Sequence, residues 1–361
     1  MNEGTTLLFY INSLARGGAQ RVLIQLAERF AEAGCRAVFV TSYRVEDEYP
    51  VPLSVERVSI EDEQIPQNAL SRNLSRIRAL RELCLNYRPA ALISFMAEPN
   101  FRAVLAAKGL PVKTIISVRN TPEKEYFNAL FRFVARHILP AADGCVFQTE
   151  DAKHWFPERL QKKSTVIMNQ VAQRFFDETP ADTHRGIAAV GRLSAQKNHA
   201  MLIRAYAALG DVDEPLTIYG EGPLRPELEA LARELGLEGR VFLPGQSADI
   251  PGDLKGAKAF VLPSDYEGMP NVLLEAMALG LPCIATDCPC GGPASVVEDG
   301  VSGLLIPVGD EKELTEKLRL LLSSDETRGR LSQNAKHAAE AFRPEAVFKQ
   351  WQAYVESVIR K

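Results

Sequence analysis

Two stretches of the chain repeat one pattern, and that pattern leaves few folds open. Through the first half, short apolar runs ("LLFYI", "AVFVTSY", "ALISFMA", "TIISV", "GCVFQT") alternate with helical patterns over residues 18–33, 68–87, 100–108 and 125–138. Past residue 186 the alternation starts again, as "GIAAVGRL", "PLTIYG", "RVFLPG", "AKAFVLPS", "PCIATD" and "GLLIPV". Helical patterns over 197–209, 224–236, 270–279 and 310–323 separate these runs. Strands that are apolar throughout are buried on both faces, so each half predicts a parallel sheet covered by helices. The expected fold class is α/β, with two doubly wound, Rossmann-like domains facing across a cleft. A length of 361 residues is more than one core usually serves and fits that division.

Between the two series lies "NQVAQRFFDETPADTHRG", polar and irregular, with Pro180 inside it. It reads as a linker over residues 173–185, between domains at 1–172 and 186–343. The last segment, 344–361, spaces Val347, Trp351, Tyr354, Val355 and Ile359 as an amphipathic helix. On spacing alone, that helix packs on the domain before it.

No apolar run approaches the roughly 20 residues that cross a bilayer. The opening "MNEGTTLLFYINS" has no basic n-region or cleavage site and reads as a first core strand. Most of the six cysteines sit in apolar runs, which suggests reduced thiols and a cytoplasmic protein. "CIATDCPC" has no second pair and no nearby His, so no metal site is expected there. The first 180 residues carry 23 Lys and Arg against 20 Asp and Glu, a net +3, whereas the remainder is net −7. That asymmetry suggests that the first half meets something acidic, while the net acidity of the whole argues against nucleic acid.

In doubly wound sheets ligands bind beyond the carboxyl ends of the strands. After the first strand come Gly17 and Gly18, at the start of a helix. The dinucleotide fingerprint is absent, no acid ends the second strand to grip a ribose, and there is no G-K-[ST]. Phosphate binding and tight helix–strand packing both remain open for this loop. In the second half, "GRLSAQKNHA" brackets a helix start with Arg192 and Lys197, two cations able to neutralise a diphosphate. "DYEGMPNVLLEAMALG" places Glu267 in a turn and Glu275 in the following helix, where its neighbours Leu273, Leu274, Ala276 and Met277 are apolar. Two carboxylates at one mouth can accept hydrogen bonds from two sugar rings of one ligand.

These blocks, with "GGPASVVEDGVSGLLIPVGD" downstream and "INSLARGGAQRVLIQLA" at the start, resemble the retaining glycosyltransferases of family GT4 over nearly the whole chain. The resemblance implies a GT-B fold whose C-terminal helix, 344–361, crosses back to the first domain. It implies that Arg192 and Lys197 hold the donor diphosphate, Glu275 the ribose and Glu267 the transferred sugar. Amides of Gly268, Met269 and Asn271, around Pro270, would face the sugar and β-phosphate. The loop containing Gly245 would lie against the base, and Gly17 and Gly18 would meet the diphosphate from the other domain. No metal or other cofactor is implied; Asp211-Val212-Asp213 precedes a strand rather than following one and reads as chance. UDP is the nucleotide by analogy, and front-face attack with retention is the implied mechanism. Many relatives carry a His after the strand "TIISV"; here "SVRNTPEKEY" puts Arg119 and Asn120 there, so Arg119 joins the candidate catalytic residues as a phosphate or hydroxyl ligand. Gln20 likewise stands where relatives often have Glu.

The acceptor is expected on the first domain. Residues 68–88 hold five arginines against one acid, and residues 124–137 mix Tyr126, Phe127, Phe131 and Phe133 with Lys124, Arg132, Arg136 and His137. The second of these is as consistent with a peripheral contact on an anionic membrane as with a helix turned to the core; the first reads as an ordinary amphipathic helix. The resulting expectation is a transferase that uses a glycan or lipid-linked glycan acceptor, with the inner membrane face as the hypothesis for where it works. A nucleotide-sugar epimerase of the same fold and a non-catalytic sugar-binding protein are the alternatives.

Overall fold

A computed structural model of the chain describes residues 3–61, 68–179 and 185–361. In chain order the strands are β1 (Thr6–Ile11), β2 (Arg36–Thr41), β3 (Glu56–Ser59), β4 (Ala91–Phe95), β5 (Lys113–Ser117), β6 (Gly144–Phe147) and β7 (Ser164–Val166). They continue as β8 (Ile187–Val190), β9 (Leu216–Tyr219), β10 (Val241–Gly245), β11 (Ala259–Leu262), β12 (Cys283–Asp287) and β13 (Leu304–Pro307). The first helices are α1 (Gly18–Glu32), α2 (Ala69–Tyr87), α3 (Ala97–Ala107), α4 (Pro122–Glu125), α5 (Ala129–Phe133), α6 (Glu150–His154), α7 (Glu158–Gln161) and α8 (Arg174–Asp177). The others are α9 (His199–Ala207), α10 (Arg225–Glu234), α11 (Ile250–Leu254), α12 (Asn271–Ala278), α13 (Glu311–Ser323), α14 (Asp325–Ala339) and α15 (Pro344–Ile359).

The chain divides into two units, Met1–Asn169 with Glu345–Lys361, and Gln170–Pro344. The first holds a seven-stranded parallel sheet in the order β3-β2-β1-β4-β5-β6-β7, with β1 and β4 paired from Leu7–Ala91 to Tyr10–Ser94. Its inner strands are buried on both faces, as their unbroken apolar sequences require. One face packs against α1 and α15: Trp351, Val347, Val355 and Val358 lie in a core with Phe9, Phe30 and Phe95. Tyr354 ties α15 to the sheet, accepting the Cys145 N–H at 2.7 Å and donating to the Lys163 carbonyl at 2.6 Å. The other face carries α2 and α3 over Leu8, Tyr10, Val38 and Leu92. The second unit holds a six-stranded parallel sheet, order β10-β9-β8-β11-β12-β13. Its core joins Leu202 and Tyr206 of α9, Leu228 of α10 and Leu314, Leu318 and Leu321 of α13.

The α/β class with two doubly wound parallel sheets is thus what the alternation predicted. Three local expectations are corrected. Residues 125–138 do not form one helix: α4 ends at Glu125, Asn128 caps a new turn by accepting the Phe131 N–H at 2.9 Å, and Val134–Ile138 winds as a π-helix. The third helix starts at Ala97, not at residue 100. The edge strands β3 and β7 were not foreseen; both are short and half-exposed, without an apolar run.

Candidate functional site

Each sheet reverses its strand order once, between β1 and β4 in the first unit and between β8 and β11 in the second. At such a point the two flanking loops diverge and open a crevice for a ligand. In the second unit these loops carry "GRLSAQKN" and "DYEGMP". Side chains and backbone lace them together. The Asp265 N–H donates to the Gln196 carbonyl at 2.9 Å, and the Gln196 amide returns a bond to the Tyr266 carbonyl at 2.9 Å. The Asn198 amide donates to Asp265 at 2.8 Å, and Lys197 Nζ reaches Glu267 Oε1 at 2.5 Å. Ser264, two residues past β11, also donates to Glu267 Oε1, at 2.8 Å. Glu267 is buried, so its charge is held by a cation and a hydroxyl rather than by water. Arg192, by contrast, is exposed, and among the described residues it has no ion pair.

Close backbone packing completes this mouth. A Cβ on Gly292, in the loop after β12, would lie 1.8 Å from the Gly268 carbonyl oxygen, so that loop can lean on the Glu267 turn only as glycine. A Cβ on Gly220 would stand 2.0 Å from the Gly191 carbonyl, and the Gly220 N–H donates to the Gly245 carbonyl at 2.8 Å. Gly191, Gly220 and Gly245 thus line the ends of β8, β9 and β10 with bare backbone. Pro270 caps α12, and Asn271 opens it. Glu275, five residues into this helix, is 5% exposed, so it is not a solvated helix position. His199, beside Lys197, is buried as well; burial and that cation pull its pKa down to about 4.

The first unit holds Gly17, Gly18 and Arg119. Gly17 caps α1 in an extended conformation without a side-chain cap, and no acid occupies the first turn. Arg119 follows β5. Its guanidinium is buried, donates to Ser117 Oγ at 3.4 Å and to the Asn169 side chain, and lies 4.5 Å over the Phe95 ring. Burial pulls its pKa down to about 9. Several neighbours escaped the sequence reading. Met96, at the end of β4, has φ +78, a left-handed conformation that a non-glycine residue adopts at a cost. The Ala97 N–H donates to Glu125 Oε1 at 2.6 Å, Glu125 Oε2 is shielded without a hydrogen-bond partner, and burial pushes this carboxyl up to about 7. Only the quoted loop "SVRNTPEKEY" pointed toward them.

The stretch 124–137 faces both ways: Phe127, Leu130 and Phe133 are 65%, 69% and 55% exposed, whereas Tyr126, Val134 and Ala135 are buried. Lys124, Arg132, Arg136 and His137 are exposed beside them. On α2, Arg76 is buried in an ion pair with Glu61, while Leu80 and Cys84 face the core. No described helix is long and apolar enough to cross a membrane. Among the described residues no group of three or more His, Cys, Asp or Glu is placed to hold a metal.

The family profile of Glycosyltransferase Family 4 matches residues 16–172, and that of Glycosyl transferases group 1 matches residues 171–338. A Campylobacter jejuni protein, the N-acetylgalactosamine-N,N'-diacetylbacillosaminyl-diphospho-undecaprenol 4-alpha-N-acetylgalactosaminyltransferase, is 31% identical over 276 residues, 73% of this chain and 75% of that one. The chain belongs to the GT4-type glycosyltransferases. A second C. jejuni enzyme, a GalNAc-alpha-(1->4)-GalNAc-alpha-(1->3)-diNAcBac-PP-undecaprenol alpha-1,4-N-acetyl-D-galactosaminyltransferase, is 26% identical to this glycosyltransferase and aligns over 97% of it and 98% of the relative. The fold is that of GT-B enzymes. The Anabaena Alr3699/HepE complex with UDP-glucose matches it with a TM-score of 0.81 at 20% identity, covering 98% of this chain and 99% of that one. The lipopolysaccharide outer core galactosyltransferase WaaB matches with a TM-score of 0.78 at 20% identity, over 98% and 99%.

Proposed function

We propose that this glycosyltransferase moves a hexosyl or N-acetylhexosaminyl group from a UDP-sugar to a glycan or lipid-linked glycan acceptor. The transfer retains the anomeric configuration, needs no metal, and serves cell-surface polysaccharide or glycolipid synthesis. The observation that carries this reading is the Lys197–Glu267 pair at the strand-order reversal of the second sheet, with the exposed Arg192 on the same loop.

The chemistry follows from charge. As the bond from sugar to diphosphate breaks, the sugar gains oxocarbenium character and the leaving group gains negative charge. Arg192 and Lys197 meet that charge, the first through a planar fork and the second as a point charge. Amides of Gly268, Met269 and Asn271, at the start of α12, add the positive end of that helix. Glu267 accepts hydroxyls of the transferred sugar, and Glu275 those of the ribose. Gly245 lies against the base, Gly17 and Gly18 are further donor-binding residues, and Arg119 is a phosphate or hydroxyl ligand.

Relatives named for undecaprenol-linked substrates support a lipid-linked acceptor. The exposed Phe127, Leu130 and Phe133 among basic residues support a peripheral contact with an anionic membrane. The test is UDP release from a panel of sugar nucleotides, with membrane lipid extract as acceptor source, with and without a chelator. Extract-dependent, chelator-insensitive turnover and an α-linked product from an α-linked donor are expected. An absence of turnover with every donor would sink the reading.

A further inference from the structure

We propose that Arg119, together with Asn169, Ser117 and Phe95, forms a binding site for a phosphate ester in the first unit. Arg119 is 9% exposed, yet among the described residues it pairs with no carboxylate. Its partners are a hydroxyl, a side-chain amide oxygen and an aromatic face. Taking a guanidinium out of water without a counter-charge is unfavourable, and a chain selected only for stability would pair it or replace it. Burial alone accounts for its lowered proton affinity; no acidic neighbour offsets it.

The surroundings hold the guanidinium still rather than neutralise it. Ser117 Oγ donates to the Val146 carbonyl at 2.9 Å, so its lone pairs are turned to Arg119. The Ser117 carbonyl is fixed in turn by the Asn100 amide at 2.8 Å, and Asn100 accepts from Ser94 at 2.8 Å. Asn169, 50 residues along the chain, holds the second terminal nitrogen. Two of the five N–H donors are spent on these neutral groups, which fixes the plane of the fork. A fork of fixed orientation matches phosphate oxygens, which supply the missing negative charge. Arg119 and Asn169 follow β5 and β7, at the end of the sheet where doubly wound folds receive ligands. Arg119 is the ligand-binding residue, and Asn169 is a positioning residue.

The transferase reading supplies two phosphate esters, the donor diphosphate and the diphosphate of a lipid-linked acceptor; the inference rests on that reading for its ligand. Two variants test it: Arg119→Met removes the cation, and Asn169→Asp places a carboxylate beside it. Thermal unfolding is measured without ligand, and calorimetry is run with UMP, UDP and farnesyl diphosphate. Both variants are expected to match or exceed the wild-type Tm, because the first removes an uncompensated buried charge and the second pairs it. Each is expected to lose about tenfold or more in affinity for a phosphate ester. A loss for UDP with UMP unchanged assigns the donor; a loss for farnesyl diphosphate with UDP unchanged assigns the acceptor. Wild-type binding to both ligands in both variants overturns the site. So does a lowered Tm accompanying any loss, since that marks Arg119 as structural. A wild-type protein that binds farnesyl diphosphate but no nucleotide would sink the transferase reading and leave this site to be judged on the variants.

Discussion

Lys197 and Glu267, 70 residues apart, meet at 2.5 Å across the strand-order reversal of the second sheet. The pair joins the group proposed to hold the diphosphate to the group proposed to hold the sugar, so the effects of changing them should be coupled. Glu267→Gln keeps the shape and removes the charge. It is expected to lower kcat by about 100-fold or more, as loss of one preorganised polar contact does, while UDP affinity stays within a few-fold. Lys197→Met is expected to weaken UDP binding by about tenfold or more, since charge-assisted bonds are worth about 1.5–3 kcal/mol. Steady-state kinetics and calorimetry read the two effects, and the double variant should fall short of their sum. Additive losses would show that the pair does not act as a unit.

The Gly292 contact makes a sharper demand on sterics. Gly292→Ala would drive a methyl group to 1.8 Å from the Gly268 carbonyl, a backbone atom that cannot swing aside. Overpacking of this kind costs about 1–3 kcal/mol. The displaced turn carries Glu267, so the donor KM should rise as Tm falls. Gly329→Ala is the control: it lies inside α14 with nothing within 4 Å of the added Cβ, and should gain about 0.5–1 kcal/mol with unchanged kinetics.

How much of this was legible follows from how each feature is encoded. Strand mouths could be read because buried parallel strands are apolar throughout, and Arg192, Lys197 and Glu267 fall just past such runs. Glu275 could be singled out because Leu273, Leu274, Ala276 and Met277 flank it, and it is indeed buried. The region 125–138 misled because apolar side chains at helical spacing do not say which way they face. Tyr126 points inward against Trp155 and Phe156, while Phe127, Leu130 and Phe133 point out, and Asn128 restarts the helix between them. The contact of Arg119 with Asn169 has no local signature, since only the pairing of β5, β6 and β7 brings those loops together.

Glu125 gives the fold a measurable pH dependence. Burial raises its pKa from 4.5 to about 7, only partly offset by the Ala97 N–H. The folded state therefore holds this proton more tightly than the unfolded chain does. Its contribution is fully present below about pH 4.5 and is lost as pH rises through 7. The loss reaches at most about 3 kcal/mol, from 1.36 kcal/mol per pH unit. Glu125→Gln should match wild type in urea unfolding at pH 5 and exceed it at pH 8. His199 slopes the other way: with its pKa lowered to about 4, it destabilises the fold as pH falls below about 6.5. Equal stability of the wild type and the Glu125→Gln variant at pH 8 would show that the Glu125 carboxyl is hydrated.

The outward-facing side chains of residues 127–133 predict where the protein meets a lipid surface. Phe127, Leu130 and Phe133 expose apolar area among Lys124, Arg132 and Arg136, and fully burying one such side chain is worth about 1.5–3 kcal/mol. Each basic residue near an anionic leaflet adds about 1 kcal/mol, screened by salt. In flotation assays the wild-type protein should rise with vesicles containing phosphatidylglycerol and stay behind with phosphatidylcholine alone. The triple variant Phe127→Ser, Leu130→Ser, Phe133→Ser should lose about 100-fold or more in vesicle affinity by the burial arithmetic, with Tm little changed because these side chains are more than half exposed. Transfer to a water-soluble acceptor should stay as it was, while transfer to a lipid-linked one should fall. Equal flotation of variant and wild type would place membrane contact elsewhere on the protein, and flotation of neither would remove it.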